Sequence, residues 1–88
     1  MYEVQNSQNA DKFLAKLERH LKDRIENRLK RLAENPFPSD AKFITRDDSG
    51  EKIFRYRIGD YRALYKVKEA ERVVLIVNID KRPRVYDR

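Results

Sequence analysis

Cysteine is absent from the 88 residues, which excludes disulfides, thiolate chemistry and Cys-based zinc sites together. Its absence also points to a reducing compartment. No Pro/Gly/Ser-rich linker, repeat or low-complexity segment interrupts the chain, so one domain spanning residues 1–88 is expected. Long apolar runs are missing too: the longest, Val73 to Val77, is far too short to cross a bilayer. Met1 to Asn6 has neither a basic n-region nor an apolar core, so export is not expected and a cytoplasmic location is. A chain this short buries only roughly 60–65% of the surface its unfolded form exposes, which leaves little room for a deep active site. Function is therefore expected on a face or groove. The one histidine, His20, falls within a helical pattern and reads as an ordinary helix residue, and no metal or small-molecule cofactor is expected.

Charge, by contrast, is abundant: 21 Lys and Arg against 15 Asp and Glu give +6. Residues 1–40 hold eight basic and seven acidic side chains, while residues 41–88 hold thirteen and eight. The excess that would seek an acidic partner lies in the C-terminal half. A charged surface adapted to a hot environment is the other reading of the same composition.

Tyr2 and Val4 alternate with polar neighbours and suggest a short opening strand. Ser7 or Asn9 can cap a helix whose apolar positions Ala10, Phe13, Leu14 and Leu17 share a face. Leu21, Ile25, Leu29 and Leu32 repeat the pattern in phase, which fits one bent helix or, as expected here, two antiparallel helices joined around Arg19 to Lys22. Pro36 and Pro38 end the helical signal by Asn35. Periodicity then changes to two. Phe43 and Ile44 sit in a weakly patterned run, Asp47-Asp48-Ser49-Gly50 reads as a turn, and clear strands start at Ile53, Tyr61 and Arg72. The expected fold is α+β, β-α-α-β-β-β-β, with both helices on one face of a mostly antiparallel sheet.

If Gly59-Asp60 is a two-residue hairpin loop, Ile58 pairs with Tyr61 and Arg57 with Arg62. Phe54, Tyr56, Ile58, Tyr61, Ala63, Tyr65 and Val67 then face the helices, while Arg55, Arg57, Arg62 and Lys66 share the other face. Arg57 opposite Arg62 breaks a local rule, because like charges directly across a strand pair are destabilising. Such violations often mark function, and an anion bridging two guanidiniums would remove the repulsion. A solvated face with Asp60 or Glu51 as partners is the alternative. The ending Lys81-Arg82-Pro83-Arg84-Val85-Tyr86-Asp87-Arg88 adds four positive charges and a ring. If Val73, Leu75, Val77 and Ile79 face the helices, Arg82 continues the alternation of Asn78 and Asp80 onto the polar face. Tyr86 would there offer a stacking surface or a phenolic proton to splayed-out RNA bases; a frayed basic end with Tyr86 folded onto the core is the alternative.

Three stretches together resemble the RelE/ParE toxins of type II toxin–antitoxin modules, nearest the RelE-like messenger RNA interferases. They are Leu32 to Pro36 (Leu-Ala-Glu-Asn-Pro), Phe54 to Val67 with its Arg-Ile-Gly-Asp-Tyr-Arg core, and Lys81 to Tyr86 (Lys-Arg-Pro-Arg-Val-Tyr). The resemblance implies a ribosome-dependent endoribonuclease that cuts messenger RNA in the A site without a metal, the ribose 2′-hydroxyl attacking the adjacent phosphate. It implies catalytic roles for Arg62, Arg82 and Tyr86, with Arg55, Arg57, Lys66, Lys81 and Arg84 binding RNA. Arginines hold their protons, so Arg62 and Arg82 would bind and stabilise charge, and Tyr86 would stack or exchange a proton. A RelB-like antitoxin is the second implied partner, after the ribosome and its messenger RNA.

The chain departs from the family where some RelE enzymes carry a lysine pair on the strand before the hairpin. Ile53 and Arg55 stand there instead, so the acid and base roles of those lysines do not carry over. Two other readings share the fold: a ParE-like inhibitor of DNA gyrase, and a homologue that binds its antitoxin without activity.

Overall fold

A computed structural model describes residues 1–81; the tail from Arg82 to Arg88 lies outside the described residues. The elements run β1 (Glu3–Asn6), α1 (Gln8–Ala15), α2 (Arg19–Lys30), a 3-10 turn (Arg31–Ala33), β2 (Ala41–Arg46), β3 (Lys52–Ile58), β4 (Tyr61–Lys68) and β5 (Val73–Lys81). One five-stranded sheet has the order β1-β5-β4-β3-β2. Its pairs are antiparallel except β1 with β5, which run parallel.

Ser7 starts α1 as anticipated, its hydroxyl accepting from the Ala10 amide at 3.1 Å. The two helices meet at Lys16–Glu18, slightly before the expected Arg19–Lys22 junction. Glu18 is the reason, because its carboxylate accepts from the Leu21 amide at 3.2 Å and so caps α2. Ala10 and Leu14 of α1, with Ile25 and Leu29 of α2, are buried at 2% exposure or less. They pack into one cluster with Tyr56, Ile58, Ala63, Tyr65 and Ile79 of the sheet. The apolar spacing of three and four along each helix is what brings those side chains onto one side.

Gly59, at φ +58°, makes the hairpin turn that the Gly-Asp pair suggested. Ile58 pairs with Tyr61, Arg57 with Arg62, Tyr56 with Ala63 and Arg55 with Leu64, the register expected from the sequence.

The last strand departs from simple alternation. Leu64 pairs with Asn78 and Tyr65 with Ile76, so Val77 is an extra residue in β5, and the strand changes phase there. Val74 and Ile76, not Val73, Leu75 and Val77, therefore join Ile79 in the helix-side core. The bulge is tied down by Ser7, whose hydroxyl donates to the Val77 carbonyl at 2.7 Å while its amide donates to Ile76 at 2.9 Å. Val73 and Ile53 are also buried, but on the opposite face and outside that core cluster.

Candidate nucleic-acid interface

The sheet face turned away from the helices carries a lateral row of three charges, Arg57 on β3, Arg62 on β4 and Asp80 on β5, set by direct strand pairing. The next row holds Lys42, Arg55, Leu64 and Asn78. Strand alternation alone puts these residues side by side, because residues directly opposite share a face. Arg57 is exposed, and neither Arg55 nor Arg57 has a carboxylate partner among the described residues.

Arg62 is engaged differently. Its Nε donates to Asp80 Oδ1 at 2.9 Å, with both side chains partly exposed. The two Nη groups make no hydrogen bond to another described residue, so the fork that suits bidentate phosphate contacts remains open. Asp80 was the partner missed in the sequence, where Asp60 and Glu51 had seemed the available carboxylates. The signal was present, since alternation already placed Asp80 on the polar face.

Lys66 lies on the same face but is occupied. Its Nζ meets Asp47 at 2.6 Å and Glu51 at 2.8 Å, and its side chain is 16% exposed. The Lys66 ammonium holds both carboxyls below their ordinary values, helped at Asp47 by the backbone amides of Glu51 and Ser49. Asp47 and then Glu51 in return raise the Lys66 pKa. This group clamps the β2–β3 turn onto β4 and adds little net charge to the face. Lys81 is not in the cluster either: it pairs with Tyr61, which places it on the helix side. Arg82, Arg84 and Tyr86 lie outside the described residues.

Behind the hairpin, Leu21, Arg24, Ile25, Arg28, Ile58 and Tyr61 line a groove of about 600 Å³ on the helix side. Arg28 there donates to the Tyr56 hydroxyl at 3.3 Å and to the Arg57 carbonyl at 3.4 Å, and pairs with Asp40 at 3.4 Å. It thereby ties α2 to the strand that presents Arg55 and Arg57. His20 is exposed near the start of α2. Among the described residues, no three His, Cys, Asp or Glu side chains are gathered to hold a metal, and no helix is long and apolar enough to cross a membrane.

Residues 3–86 match the family model of the ParE toxin of type II toxin–antitoxin systems, parDE. No curated protein matches the chain significantly in sequence. Among solved structures, the archaeal RelE–RelB complex from Pyrococcus horikoshii has a chain 26% identical, with a TM-score of 0.79 over 94% of this chain and 97% of that one. The RelBE2 toxin–antitoxin complex from Mycobacterium tuberculosis contributes a chain 26% identical, with a TM-score of 0.77 over 92% of this chain and 98% of that one. The isolated E. coli RelE toxin, 21% identical with a TM-score of 0.78 over 96% and 87%, shares the fold.

Proposed function

We propose, from the premise that this chain belongs to the ParE toxin family of type II toxin–antitoxin systems, that it is a RelE-like endoribonuclease acting on messenger RNA in the ribosomal A site. The protein is a type II toxin of the RelE/ParE superfamily. The observation that carries the nuclease reading is the pair of guanidiniums, Arg57 and Arg62, directly opposed on an accessible sheet face, with Arg62 bonded among the described residues through Nε alone.

In the reaction proposed, the ribose 2′-oxygen forms a bond to the adjacent phosphorus and the bond to the 5′-oxygen breaks, leaving a 2′,3′-cyclic phosphate and a 5′-hydroxyl. Negative charge builds on the non-bridging oxygens in the transition state. The Nη groups of Arg62, unbonded among the described residues, with Arg57 and Arg55 beside it, are suited to stabilise that charge. Guanidiniums keep their protons, so they cannot take one from the 2′-hydroxyl. By the family resemblance the 2′-proton passes to the phenolate of Tyr86, favoured by the positive charge of Arg82 and Arg84, and the departing 5′-oxygen takes its proton from water. Arg82 would also contact the phosphate.

The partners proposed are the ribosome with its messenger RNA and a RelB-like antitoxin. Support for the antitoxin comes from the P. horikoshii and M. tuberculosis relatives, both seen as toxin–antitoxin complexes. A cytoplasmic site of action accompanies this reading.

A second reading, inhibition of DNA gyrase, is favoured by the family model itself, which is that of ParE. One experiment separates the two. The protein is expressed with and without its antitoxin, messenger RNA ends are mapped by primer extension, and the purified protein is added to a gyrase supercoiling assay. New ends inside reading frames with normal supercoiling support the nuclease. Intact messenger RNA with lost supercoiling supports the gyrase inhibitor.

A further inference from the structure

Arg62 is held to Asp80 by one bond where its geometry allows two. A guanidinium carries five N–H donors in a planar fork, and a carboxylate beside it commonly takes two of them at once. Here Asp80 Oδ1 accepts from Nε alone, at 2.9 Å. The bond fixes the plane of the group and leaves the edge formed by the two Nη atoms without a partner among the described residues.

Asp80 stands at that position because β5 is bulged. Before the bulge the register runs Val67 with Val74, Lys66 with Leu75 and Tyr65 with Ile76. Continued without the extra Val77, it would set Ile79 opposite Arg62 and turn Asp80 to the helix side, opposite Tyr61. The bulge advances β5 by one residue, so Asp80 faces Arg62 directly. Ser7 secures it, its hydroxyl and amide donating to the carbonyls of Val77 and Ile76 at 2.7 and 2.9 Å. A link between the cap of α1 and the last strand thus decides what stands beside Arg62.

By its charge the carboxylate is out of place. Among the described residues it is the one acid in the two rows that carry Arg55, Arg57 and Arg62. Its side chain is 44% exposed, so it repels the anion that those arginines attract. A face serving only to bind RNA would bind it better without Asp80. What the carboxylate can supply is orientation, since a long arginine side chain otherwise spreads over several rotamers and meets a developing charge from few of them.

We propose that Asp80 is a positioning residue for the nuclease. By fixing Nε it aims the Nη edge of Arg62 at the non-bridging oxygens of the scissile phosphate, raising the rate at some loss of RNA affinity. This role rests on the nuclease reading above. It gives Asp80 no contact with RNA and no proton to transfer.

Wild type, Asp80→Ala and Asp80→Asn test it, each as the full chain. The Arg62–Asp80 pair is partly exposed, so both variants keep the fold. Three readouts are compared: single-turnover cleavage of messenger RNA on programmed ribosomes, binding of a single-stranded RNA oligonucleotide, and the ¹H–¹⁵N signal of the Arg62 Nε–H group. Asp80→Ala should lower the rate at saturating toxin by roughly tenfold or more and lose the protected Nε–H signal. It should bind the oligonucleotide about two- to threefold more tightly at low salt. Asp80→Asn keeps an oxygen for Nε without the charge, so it should recover most of the rate and the signal while retaining the tighter binding. Equal rates for wild type and Asp80→Ala, an Asp80→Asn as slow as Asp80→Ala, or weaker RNA binding by Asp80→Ala would each overturn the role of Asp80 and leave the nuclease reading standing. A wild type that makes no cuts would overturn the nuclease reading, and this role with it.

Discussion

Arg57 and Arg62 face each other as a direct cross-strand pair at the end of the β3–β4 hairpin. Two like charges so placed oppose folding by a few tenths of a kcal/mol or more. Asp80, bonded to the Nε of Arg62, offsets only part of that repulsion, since Arg57 has no carboxylate of its own among the described residues. The arrangement is a local cost that a bound phosphate would turn into a gain, and it yields a prediction in which stability and binding move oppositely. Replacing Arg57 by Thr should raise unfolding stability by about 0.2–1 kcal/mol in urea melts at low salt, while weakening binding of an RNA oligonucleotide. A variant that loses both stability and affinity would show that Arg57 serves the fold.

Asp80→Ala should lower stability by up to about 1 kcal/mol, because the exposed Arg62–Asp80 pair is of the modest surface kind. The loss should shrink as salt is added and charges are screened. Urea melts at low and high ionic strength measure it; a loss independent of salt would mean that Asp80 acts through something other than its charge.

The Lys66 clamp makes an acid-sensitive contribution. Asp47 and Glu51 lie below their ordinary values of 3.8 and 4.5, so the stability they bring is complete above those values and is lost as pH falls through the lowered ones. Lys66 is raised above 10.5, so its share is intact at neutral pH and lost only in strong alkali. Thermal melts between neutral pH and about pH 2 should show wild type losing more Tm on acidification than Lys66→Met. Equal slopes would contradict the clamp. The same variant should reduce RNA affinity less than Arg57→Ala, because the Lys66 charge is already neutralised in place.

Tyr65→Phe deletes the hydroxyl that donates to the Pro36 carbonyl from a fully buried ring. Leaving that acceptor unpaired should cost about 1–3 kcal/mol, measurable by chemical denaturation. A neutral result would mean that water replaces the phenol.

Much of this arrangement was readable from residue order. Gly59-Asp60 set the hairpin register, and from it followed the opposition of Arg57 to Arg62 and the burial of Tyr56, Ala63 and Tyr65, because a two-residue loop leaves one pairing. The helices were readable because their apolar spacing is regular, and only their junction moved, to where Glu18 caps α2. The phase of β5 was not readable. Val73 to Val77 is apolar at every position, so neither face is distinguished, and the bulge depends on Ser7, about seventy residues away. Glu51 was among the partners anticipated for the polar face and does meet Lys66, whereas Asp47 was hidden because a turn acid looks solvated until strand pairing brings it beside β4. Parallel pairing of β1 with β5 likewise had no local signal, since it joins the two ends of the described chain. Of the resemblance-based site residues, Arg62 falls on the arginine face with Arg55 and Arg57, Lys81 does not, and Arg82, Arg84 and Tyr86 lie beyond the described residues.

The most direct test of the account is primer-extension mapping of messenger RNA ends in cells expressing wild type or the Arg62→Ala, Arg82→Ala double variant, both at equal soluble levels. Wild type is expected to give codon-phased cuts that vanish in the double variant. Cuts of unchanged position and intensity in the double variant would contradict it.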